Sequence, residues 1–238
     1  MENSEFDIRV VFNNIPDVLG FKTSWGNSFI IKKPGLCFLF DTGDNGDILL
    51  YNLKKANIDP AKINAVAISH NHWDHTGGLW KILAADSWPL VFLPESFPND
   101  FKEKVRRLGG RIENVKDFCE LESRIYTTGE MEGRKFEQGL VIKTDKGPVL
   151  ITGCAHPGIE KMAERCRSVI GVPYLIAGGF HLKDSSPDKI KEVANQLYKM
   201  GVQKVSPNHC SGEIAIKEFS LIWGKNFIKS GCGSVLEL

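Results

Sequence analysis

The segment at residues 70–75, His-Asn-His-Trp-Asp-His, constrains the fold and the chemistry of this chain more than any other part of its sequence. An apolar, β-branched run at residues 63–68 precedes it and an apolar helical stretch begins near Leu79, so the segment lies at a strand-to-helix turn. With six histidines in 238 residues, this spacing of three histidines and one aspartate arises by chance with a probability on the order of 2 in 10,000. A functional role is therefore favoured over a chance cluster.

The side chains of this segment are placed to serve two neighbouring metal ions. Alternation along the end of the strand points His70 and His72 in the same direction, and the turn brings Asp74 and His75 to an adjacent position. Neutral imidazole and carboxylate ligands suit zinc at about 2.0 to 2.2 Å and also accept iron or manganese. The sequence predicts a divalent metal site here without selecting the metal.

Each of the other three histidines stands beyond the end of a predicted strand. His156, His181 and His209 follow predicted strands at residues 149–151, 174–177 and 202–205, respectively. In open α/β sheets, ligands gather beyond the carboxyl ends of strands, where loops and helix N-termini converge. We therefore expect all six histidines to face one cleft, with His156 and His209 as metal ligands. The position of His181 suits metal binding, substrate contact or acid–base work.

Apolar periodicity divides the chain into strands and helices. Strands are predicted at residues 8–12, 28–31, 36–40, 63–68, 90–93, 140–142, 149–151, 174–177, 202–205 and 234–238. Helical spacing is clearest at residues 186–198 and is also present at residues 48–56, 156–169 and 213–223. The tripeptide Asp145-Lys146-Gly147 predicts a hairpin that leads to Cys154. Two mixed sheets covered by helices fit this order, as does another layered α/β arrangement, within a single domain at 1–238.

Composition narrows the classes of partner. Thirty basic and 29 acidic side chains give a formal net charge of +1, so no strong field attracts nucleic acid or anionic lipid. The acidic start of the sequence lacks the pattern of a secretory signal, and no apolar run approaches the roughly 18 residues of a membrane span. The six cysteines form no Cys-x-x-Cys pair and are expected to be reduced. We expect a cytoplasmic protein with a small-molecule substrate, no nucleic acid partner and no membrane contact.

These motifs resemble those of the metallo-β-lactamase superfamily, whose hallmark is His-x-His-x-Asp-His after a strand. Phe40-Asp41-Thr42-Gly43 is similar to the superfamily's early strand ending in Asp-Thr-Gly, where the aspartate supports the ligands from behind. The resemblance implies a four-layer αββα sandwich with two mixed sheets and a centre of two divalent ions, with zinc the first expectation. It also implies a supporting role for Asp41, for which a helix cap or a turn is the alternative.

A closer resemblance is to the subgroup named after dihydropterin ribofuranosylaminobenzene phosphate synthase. The shared features run along most of the chain, at residues 69–79, 126–130, 137–138, 152–158, 178–182 and 209–212. This resemblance implies an enzyme that either hydrolyses a small phosphorylated or pterin-like substrate or joins a pterin to a ribosylated aminobenzene phosphate.

Two departures from the general superfamily pattern alter the expected ligand set. Thr127-Thr128-Gly129-Glu130 stands where a histidine in a Pro-Gly-His-Thr context is expected, and Cys154 replaces the bridging aspartate. Cys154 is then either a bridging ligand or a buried, inert thiol. The resemblance implies two sets of ligands, which are His70, His72 and His156 for one ion and Asp74, His75 and His209 for the other.

Two divalent ions at such a site would activate water and stabilise charge on a phosphoryl or carbonyl oxygen. The expected catalytic residues are Asp74, which would accept a hydrogen bond from the nucleophilic water, and His181, which would donate a proton or hold a substrate anion. The amides of Gly77 and Gly78 would help to bind phosphate, or these glycines serve only a tight turn. Two other functions stay open: a metal-dependent nuclease or phosphodiesterase, and a metal-binding sensor without catalytic activity.

Overall fold

Two six-stranded sheets carry the structure, one in each of two compact units. The computed structural model describes residues 5–85 and 88–238. The first unit ends at Lys116 and also includes the segment Gly231–Glu237. The second unit comprises Asp117–Ser230 and Leu238.

A mixed sheet and four helices form the described part of the first unit. The strands are β1 (Asp7–Asn13), β2 (Asn27–Lys33), β3 (Leu36–Phe40), β4 (Ala65–Ala67), β5 (Leu90–Pro94) and β6 (Arg111–Val115). The helices are α1 (Gly46–Lys55), α2 (Trp73–Thr76), α3 (Leu79–Leu83) and α4 (Asn99–Arg107). The strands follow one another across the sheet in chain order. The first three pair antiparallel, and β3 to β6 pair in parallel.

Burial explains why the central strands and α1 form where they do. Val66 and Val91, on the adjacent parallel strands β4 and β5, are fully buried, as central parallel strands require. The side chain of Asn45 accepts two amide hydrogen bonds from the first turn of α1 and so begins the helix. One turn apart on α1, Leu49 and Leu53 are buried in the hydrophobic core of this unit. The loop after β4 is therefore held between a buried sheet and packed helices.

The second unit has the same kind of mixed sheet. Its strands are β7 (Cys119–Glu122), β8 (Ile125–Thr127), β9 (Leu140–Thr144), β10 (Gly147–Thr152), β11 (Leu175–Gly179) and β12 (Lys204–Asn208). Its helices are α5 (Ile159–Val169), α6 (Pro187–Met200) and α7 (Glu213–Trp223). The strands β7 to β10 pair antiparallel in chain order, and β10, β11 and β12 pair in parallel.

Local sequence explains the hairpin and the longest helix of this unit. β9 and β10 pair across a tight turn with Thr144 opposite Gly147, as the turn tripeptide predicts. Ser186 caps α6, Pro187 lies in its first turn and Gly201 ends it in the left-handed conformation. Because β10, β11 and β12 are adjacent and parallel, their carboxyl ends lie at the same edge of the sheet.

Most of the predicted elements are confirmed with shifted ends. The predicted strands correspond to β1–β5 and β9–β12, and the predicted helices, with the stretch that begins near Leu79, correspond to α1, α3, α5, α6 and α7. α5 begins at Ile159 because Gly158, with a φ of 107°, separates it from the preceding turn. The strand predicted at residues 234–238 is wrong, since within the described chain this segment makes only an isolated bridge between Arg9 and Val235. The prediction of two mixed sheets with helices is confirmed.

The structure also bears on the elements that the pattern missed and on the predictions about a signal sequence, a membrane span and the number of domains. The pattern misses β6, β7, β8 and α4, which carry few buried apolar side chains. Residues 1–4, on which part of the signal-sequence prediction rests, lie outside the described residues. Within the described chain, no helix combines the length and the apolar character that crossing a membrane requires. The single-domain prediction at 1–238 stays a prediction.

Candidate metal centre

The loop that follows β4 carries the first group of predicted ligands. His70 and His75 are fully buried, and their ring centroids lie 4.3 Å apart. Nε2 of His70 lies 2.9 Å from Nδ1 of His72. Nε2 of His75 lies 3.5 Å from Oδ2 of Asp74, which is also buried. The structure therefore brings together the four predicted ligands of the first unit.

The buried carboxylate of Asp41, just after β3, fixes two of these imidazoles. Its Oδ2 lies 2.7 Å from Nδ1 of His75 and accepts a 2.7 Å hydrogen bond from Oγ of Ser69. Ser69 Oγ lies 2.9 Å from Nδ1 of His70, and since its own proton goes to Asp41, it accepts the proton of that imidazole. In both rings Nδ1 is thus the protonated nitrogen, and Nε2 carries the lone pair. Asp41 thus contacts a predicted ligand as its expected supporting role requires, and the role itself stays a prediction.

The four predicted ligands that follow β4 have donor atoms suited to divalent cations. These donor atoms stand in two pairs, one formed by His70 with His72 and the other by Asp74 with His75. Imidazole nitrogens and a carboxylate oxygen are donors that zinc prefers and that iron or manganese accepts. Burial raises the pKa of the Asp41 carboxyl above its ordinary value, although the charge and hydrogen bond of His75 and the hydrogen bonds from Ser69 act in the opposite direction. The imidazole partner thus offsets part of the cost of burying the carboxylate, in an arrangement typical behind metal-ligating histidines.

Gly77 and Gly78 do not provide the phosphate-binding amides considered for them. The amide of Gly77 donates to the carbonyl of Trp73, and the amide of Gly78 donates to the carbonyl of Gly43. A Cβ at Gly78 would lie 2.2 Å from the carbonyl oxygen of Thr42, so only glycine permits this approach. The tight-turn alternative is confirmed, and the phosphate-binding one is wrong because both amides are already used within the first unit.

In the second unit, the buried carboxylate of Glu137 acts on His156 as Asp41 acts on His75. Its Oε1 accepts hydrogen bonds of 2.8 Å from the amides of Cys154 and Ala155. Its Oε2 accepts a 2.8 Å bond from the amide of His156 and lies 2.7 Å from Nδ1 of the same residue. Burial raises the pKa of Glu137, but the hydrogen bonds and charge of His156 outweigh it and hold the pKa below its ordinary value. The ionised carboxylate therefore fixes both the loop and the imidazole.

His181 and His209 lie just beyond β11 and β12, as predicted. The ring centroids of His181 and His156 are 4.5 Å apart, and His209 is buried at the start of a 3-10 turn. His181 and His209 have left-handed φ angles of 53° and 48°, and Ala155 has 61°. Such backbone costs a non-glycine residue about 1 to 3 kcal/mol and concentrates at functional sites. The second unit thus brings His156 and His181 together and places His209 directly after the adjacent parallel strand, with strained backbone at or beside each of these residues.

Two buried thiols, Cys154 and Cys210, lie beside His181. Their sulfur atoms and a ring nitrogen of His181 all lie within 4.8 Å of one another. Burial raises the pKa of the Cys210 thiol, but hydrogen bonds with Cys154 and His181 and the charge of His209 outweigh it and hold the pKa well below its usual value. The hydrogen bond with Cys210 raises the pKa of His181.

Three contributors to these arrangements are absent from the predicted site: Ser69, Glu137 and Cys210. Ser69 has a local signal, since it directly precedes the histidine motif at the end of a buried strand. Cys210 has one too, because it adjoins a predicted ligand. Glu137 has no local signal, since its partners lie 17 to 19 residues further along the chain, and only its place among the features shared with the synthase subgroup marks it. The ligand and catalytic roles of the six histidines and Asp74 stay predictions.

Mixed sheets covered by helices, with imidazole and carboxylate groups beyond the ends of their strands, define a class of α/β proteins whose strand-end residues could hold a divalent metal ion. Residues 26–184 match the family model described as the metallo-beta-lactamase superfamily, so two thirds of the chain, including all predicted ligands except His209, lie within the match. The chain belongs to the metallo-β-lactamase superfamily.

Similar proteins agree with this assignment. A 7,8-dihydropterin-6-methyl-4-(beta-D-ribofuranosyl)-aminobenzene-5'-phosphate synthase of Methanocaldococcus jannaschii is 31% identical, with 91% of each chain covered. A ribonuclease Z of Treponema denticola is 30% identical over 118 residues, covering 46% of this chain and 37% of the relative. A solved metal-dependent hydrolase of the β-lactamase superfamily superposes with a TM-score of 0.82 and 27% identity, covering 98% of this chain and 99% of the other. The fold is thus that of the superfamily.

Proposed function

We propose that this protein is a metal-dependent enzyme with a dinuclear centre that acts on a small phosphorylated or pterin-like substrate. The observation that carries the proposal is the similarity to the dihydropterin ribofuranosylaminobenzene phosphate synthase along 91% of both chains. The ligand assignment follows the order of the superfamily motifs. It comprises His70, His72 and His156 for one ion, and Asp74, His75 and His209 for the other.

The hydrogen bonds behind the histidines support this proposal. A metal ligand must present a neutral imidazole in one tautomer, and a carboxylate partner on the other nitrogen achieves this. Asp41 does so for His75, and Glu137 does so for His156, each at 2.7 Å. The hydroxyl of Ser69, 2.9 Å from Nδ1 of His70, fixes the tautomer of that ring in the same way. The imidazoles are therefore oriented before any ion arrives.

The chain's own residues would supply orientation and proton transfer. Two divalent ions, with zinc the first expectation and iron or manganese the alternatives, would lower the pKa of water and stabilise charge on a phosphoryl or carbonyl oxygen. Asp74 accepts a hydrogen bond from the attacking water or hydroxyl and so aims it at the substrate. His181 donates a proton to the leaving oxygen or holds a substrate anion.

Hydrolase and transferase can be separated by their products. The printed name of the relative describes a 7,8-dihydropterin joined to a ribosylated aminobenzene phosphate. The purified protein is incubated with a dihydropterin donor and a ribosylated aminobenzene phosphate, and the mixture is followed by mass spectrometry. A joined product supports the transferase. Release of phosphate or alcohol from a panel of phosphoesters, without joining, supports the hydrolase.

Metal content tests the centre itself. Elemental analysis compares the wild type with His72→Ala, and Asn71→Ala serves as the matched control because Asn71 is an exposed neighbour between two predicted ligands. We expect His72→Ala to lose at least one ion per chain together with turnover, and Asn71→Ala to keep both. An unchanged ion count in His72→Ala would contradict the ligand assignment. Bound ions without turnover of any substrate would favour the metal-binding sensor.

The partial similarity to ribonuclease Z favours a second candidate, a metal-dependent nuclease or phosphodiesterase. The net charge of +1 weighs against it, since nucleic acid binding depends on cationic contacts with phosphates. Binding of a labelled transfer RNA precursor and of a single-stranded oligonucleotide is measured at two salt concentrations. Affinity that falls steeply with salt, together with metal-dependent cleavage, would replace the small-molecule proposal with the nuclease.

A further inference from the structure

Three adjacent parallel strands of the second unit end in the same way. Cys154, His181 and Cys210 each stand two residues beyond the last residue of β10, β11 and β12, respectively. Thr152 pairs with Gly178, and Gly179 pairs with Asn208, so the ends of the three strands lie level to within one residue across the sheet. Parallel neighbours in this register bring side chains just past their ends to one edge of the sheet. The topology therefore gathers two thiols and an imidazole.

The gathered atoms have the spacing of a ligand set. The two sulfur atoms and a ring nitrogen of His181 lie within 4.8 Å of one another. The side chains of Cys154 and Cys210 are buried, with 4% and 7% of their surface exposed. Nδ1 of His181 is buried and has no hydrogen-bond partner among the residues that the structure describes. A buried polar atom without a partner is costly and calls for an explanation such as an ion.

Backbone features hold this spacing. A Cβ at Gly179 would lie 2.6 Å from Sγ of Cys210 and 3.2 Å from Cα of Cys154, so a larger residue would displace the sulfur. His181 itself adopts a left-handed φ of 53°, which aims its ring from a strained backbone. An obligatory glycine at residue 179 and a strained backbone at residue 181 are expected where function requires fixed positions for the side chains.

We propose that Cys154, His181 and Cys210 together bind a thiophilic metal ion such as Zn²⁺ or Cd²⁺, as a ligand set additional to the two assigned above, although Cys154 also lies within 4.8 Å of donor atoms of His156 and His209. Two thiolates and one imidazole are the ligands such ions prefer, and three protein ligands leave one coordination position open. Both sulfur atoms bind a metal as thiolates, and protons compete with the metal for them, so binding weakens as the pH falls. A ligated His181 can no longer transfer a proton. Occupation of this site should therefore inhibit the activity proposed above.

Cobalt titration tests the site directly, because thiolate ligands give Co²⁺ a sulfur-to-metal charge-transfer absorption that imidazole and carboxylate ligands do not. Metal-free full-length protein carrying His72→Ala is used, so that the first group of ligands is disabled. We expect the absorption in this background, about half of it after Cys210→Ser, and none after Cys154→Ser with Cys210→Ser. Cys166→Ser is the control, since Cys166 is an equally buried thiol of the same unit.

Two outcomes would overturn the proposal. One is absorption that survives the double substitution. The other is absorption that disappears with Cys154→Ser yet is unaffected by Cys210→Ser, which would make Cys154 a bridging ligand of the dinuclear centre instead.

Cysteine alkylation of the wild type gives a measurement that does not depend on how the variants fold. Cd²⁺ should slow the alkylation of Cys154 and Cys210 at least tenfold, as read by peptide mass spectrometry, and leave the exposed Cys119 unchanged. Equal rates with and without Cd²⁺ would refute the site whatever the variants do. Failure of the dinuclear centre would appear separately, in the metal content of His72→Ala.

Discussion

Replacing Glu137 with glutamine should destabilise the second unit without changing the shape of the side chain. The carboxylate accepts four hydrogen bonds, from the amides of Cys154, Ala155 and His156 and from Nδ1 of His156. Each oxygen serves two of these donors. The NH₂ group of a glutamine would face two backbone amides in one orientation; in the other it would face the amide of His156 and Nδ1 of its ring, which can change tautomer and accept. A buried donor without an acceptor costs about 1 to 3 kcal/mol, so the loss is about 1 to 3 kcal/mol for one orphaned amide and about 2 to 6 kcal/mol for two.

Urea unfolding followed by circular dichroism measures this loss. A chelator is present throughout, so that metal binding does not contribute to the free energy of unfolding. The control is Glu132→Gln, which removes an exposed carboxylate from the same loop and should change stability by less than about 0.5 kcal/mol. A loss below about 1 kcal/mol for Glu137→Gln, with an unchanged dependence on urea, would refute the reasoning from the four hydrogen bonds.

The pH dependence follows from the direction of the pKa shift. The fold lowers the pKa of Glu137 below its ordinary value of 4.5, so its contribution is fully present above that pH. The contribution is lost as the pH falls through the lower, folded-state value. The stability gap between the wild type and Glu137→Gln should therefore narrow only below pH 4.5. A gap that already closes between pH 7 and pH 5 would show that another group is responsible.

Two further predictions concern the first unit. Asp41→Asn should weaken metal binding by about 10- to 100-fold, because it removes the anion that holds His75, and Ser69→Ala should weaken it less. Competition with a chromophoric chelator measures both, and equal affinities for wild type and Asp41→Asn would contradict the role of the carboxylate. Gly78→Ala should lower stability by about 1 to 3 kcal/mol, because its Cβ would meet the carbonyl of Thr42 at 2.2 Å. An unchanged unfolding midpoint would show that the turn can relax.

Sequence pattern predicts the strands that are buried and misses those that are not. β3 is predicted with its observed ends, because four of its five side chains are buried and apolar. β6 and β7 each lie at the end of a sheet, and most of their side chains are exposed or half-buried. Edge strands are commonly rich in charge, which removes the alternation that a pattern search needs. Their pairing is decided by the neighbouring strand and not by their own sequence.

The wrongly predicted terminal strand has a different cause. The amide of Leu236 donates to the carbonyl of Ile8, and the amide of Val10 donates to the carbonyl of Ser234. The segment thus lies along β1 as a strand would, but its pairing is interrupted. Gly233, with a φ of 95°, breaks the extended conformation just before the expected strand begins. The apolar composition of residues 234–238 correctly indicates that they lie along β1, whereas the backbone conformation at Gly233 prevents regular strand pairing.

In the candidate site, the sequence predicts which residues act together only where those residues are close along the chain. The spacing of His70, His72, Asp74 and His75 is readable because all four lie on one strand-to-helix turn. Cys210 becomes meaningful only when β10 and β12 are known to flank β11, since Cys154 lies 56 residues away along the chain. Such proximity depends on sheet topology, which periodicity alone does not specify.

The two carboxylates are the best physical argument that the histidines bind metal. Asp41 follows β3 whereas Glu137 precedes β9, so the shared 2.7 Å contact with Nδ1 of an imidazole does not come from a repeated sequence. Burying a carboxylate costs several kcal/mol unless hydrogen bonds compensate for it. A buried imidazole that bound no metal would still need an acceptor for its N–H group, but a neutral carbonyl oxygen would serve. A metal ligand gains more from a carboxylate, because the anion fixes its tautomer and raises its basicity, so the buried carboxylate in each unit is what we expect if His75 and His156 bind metal.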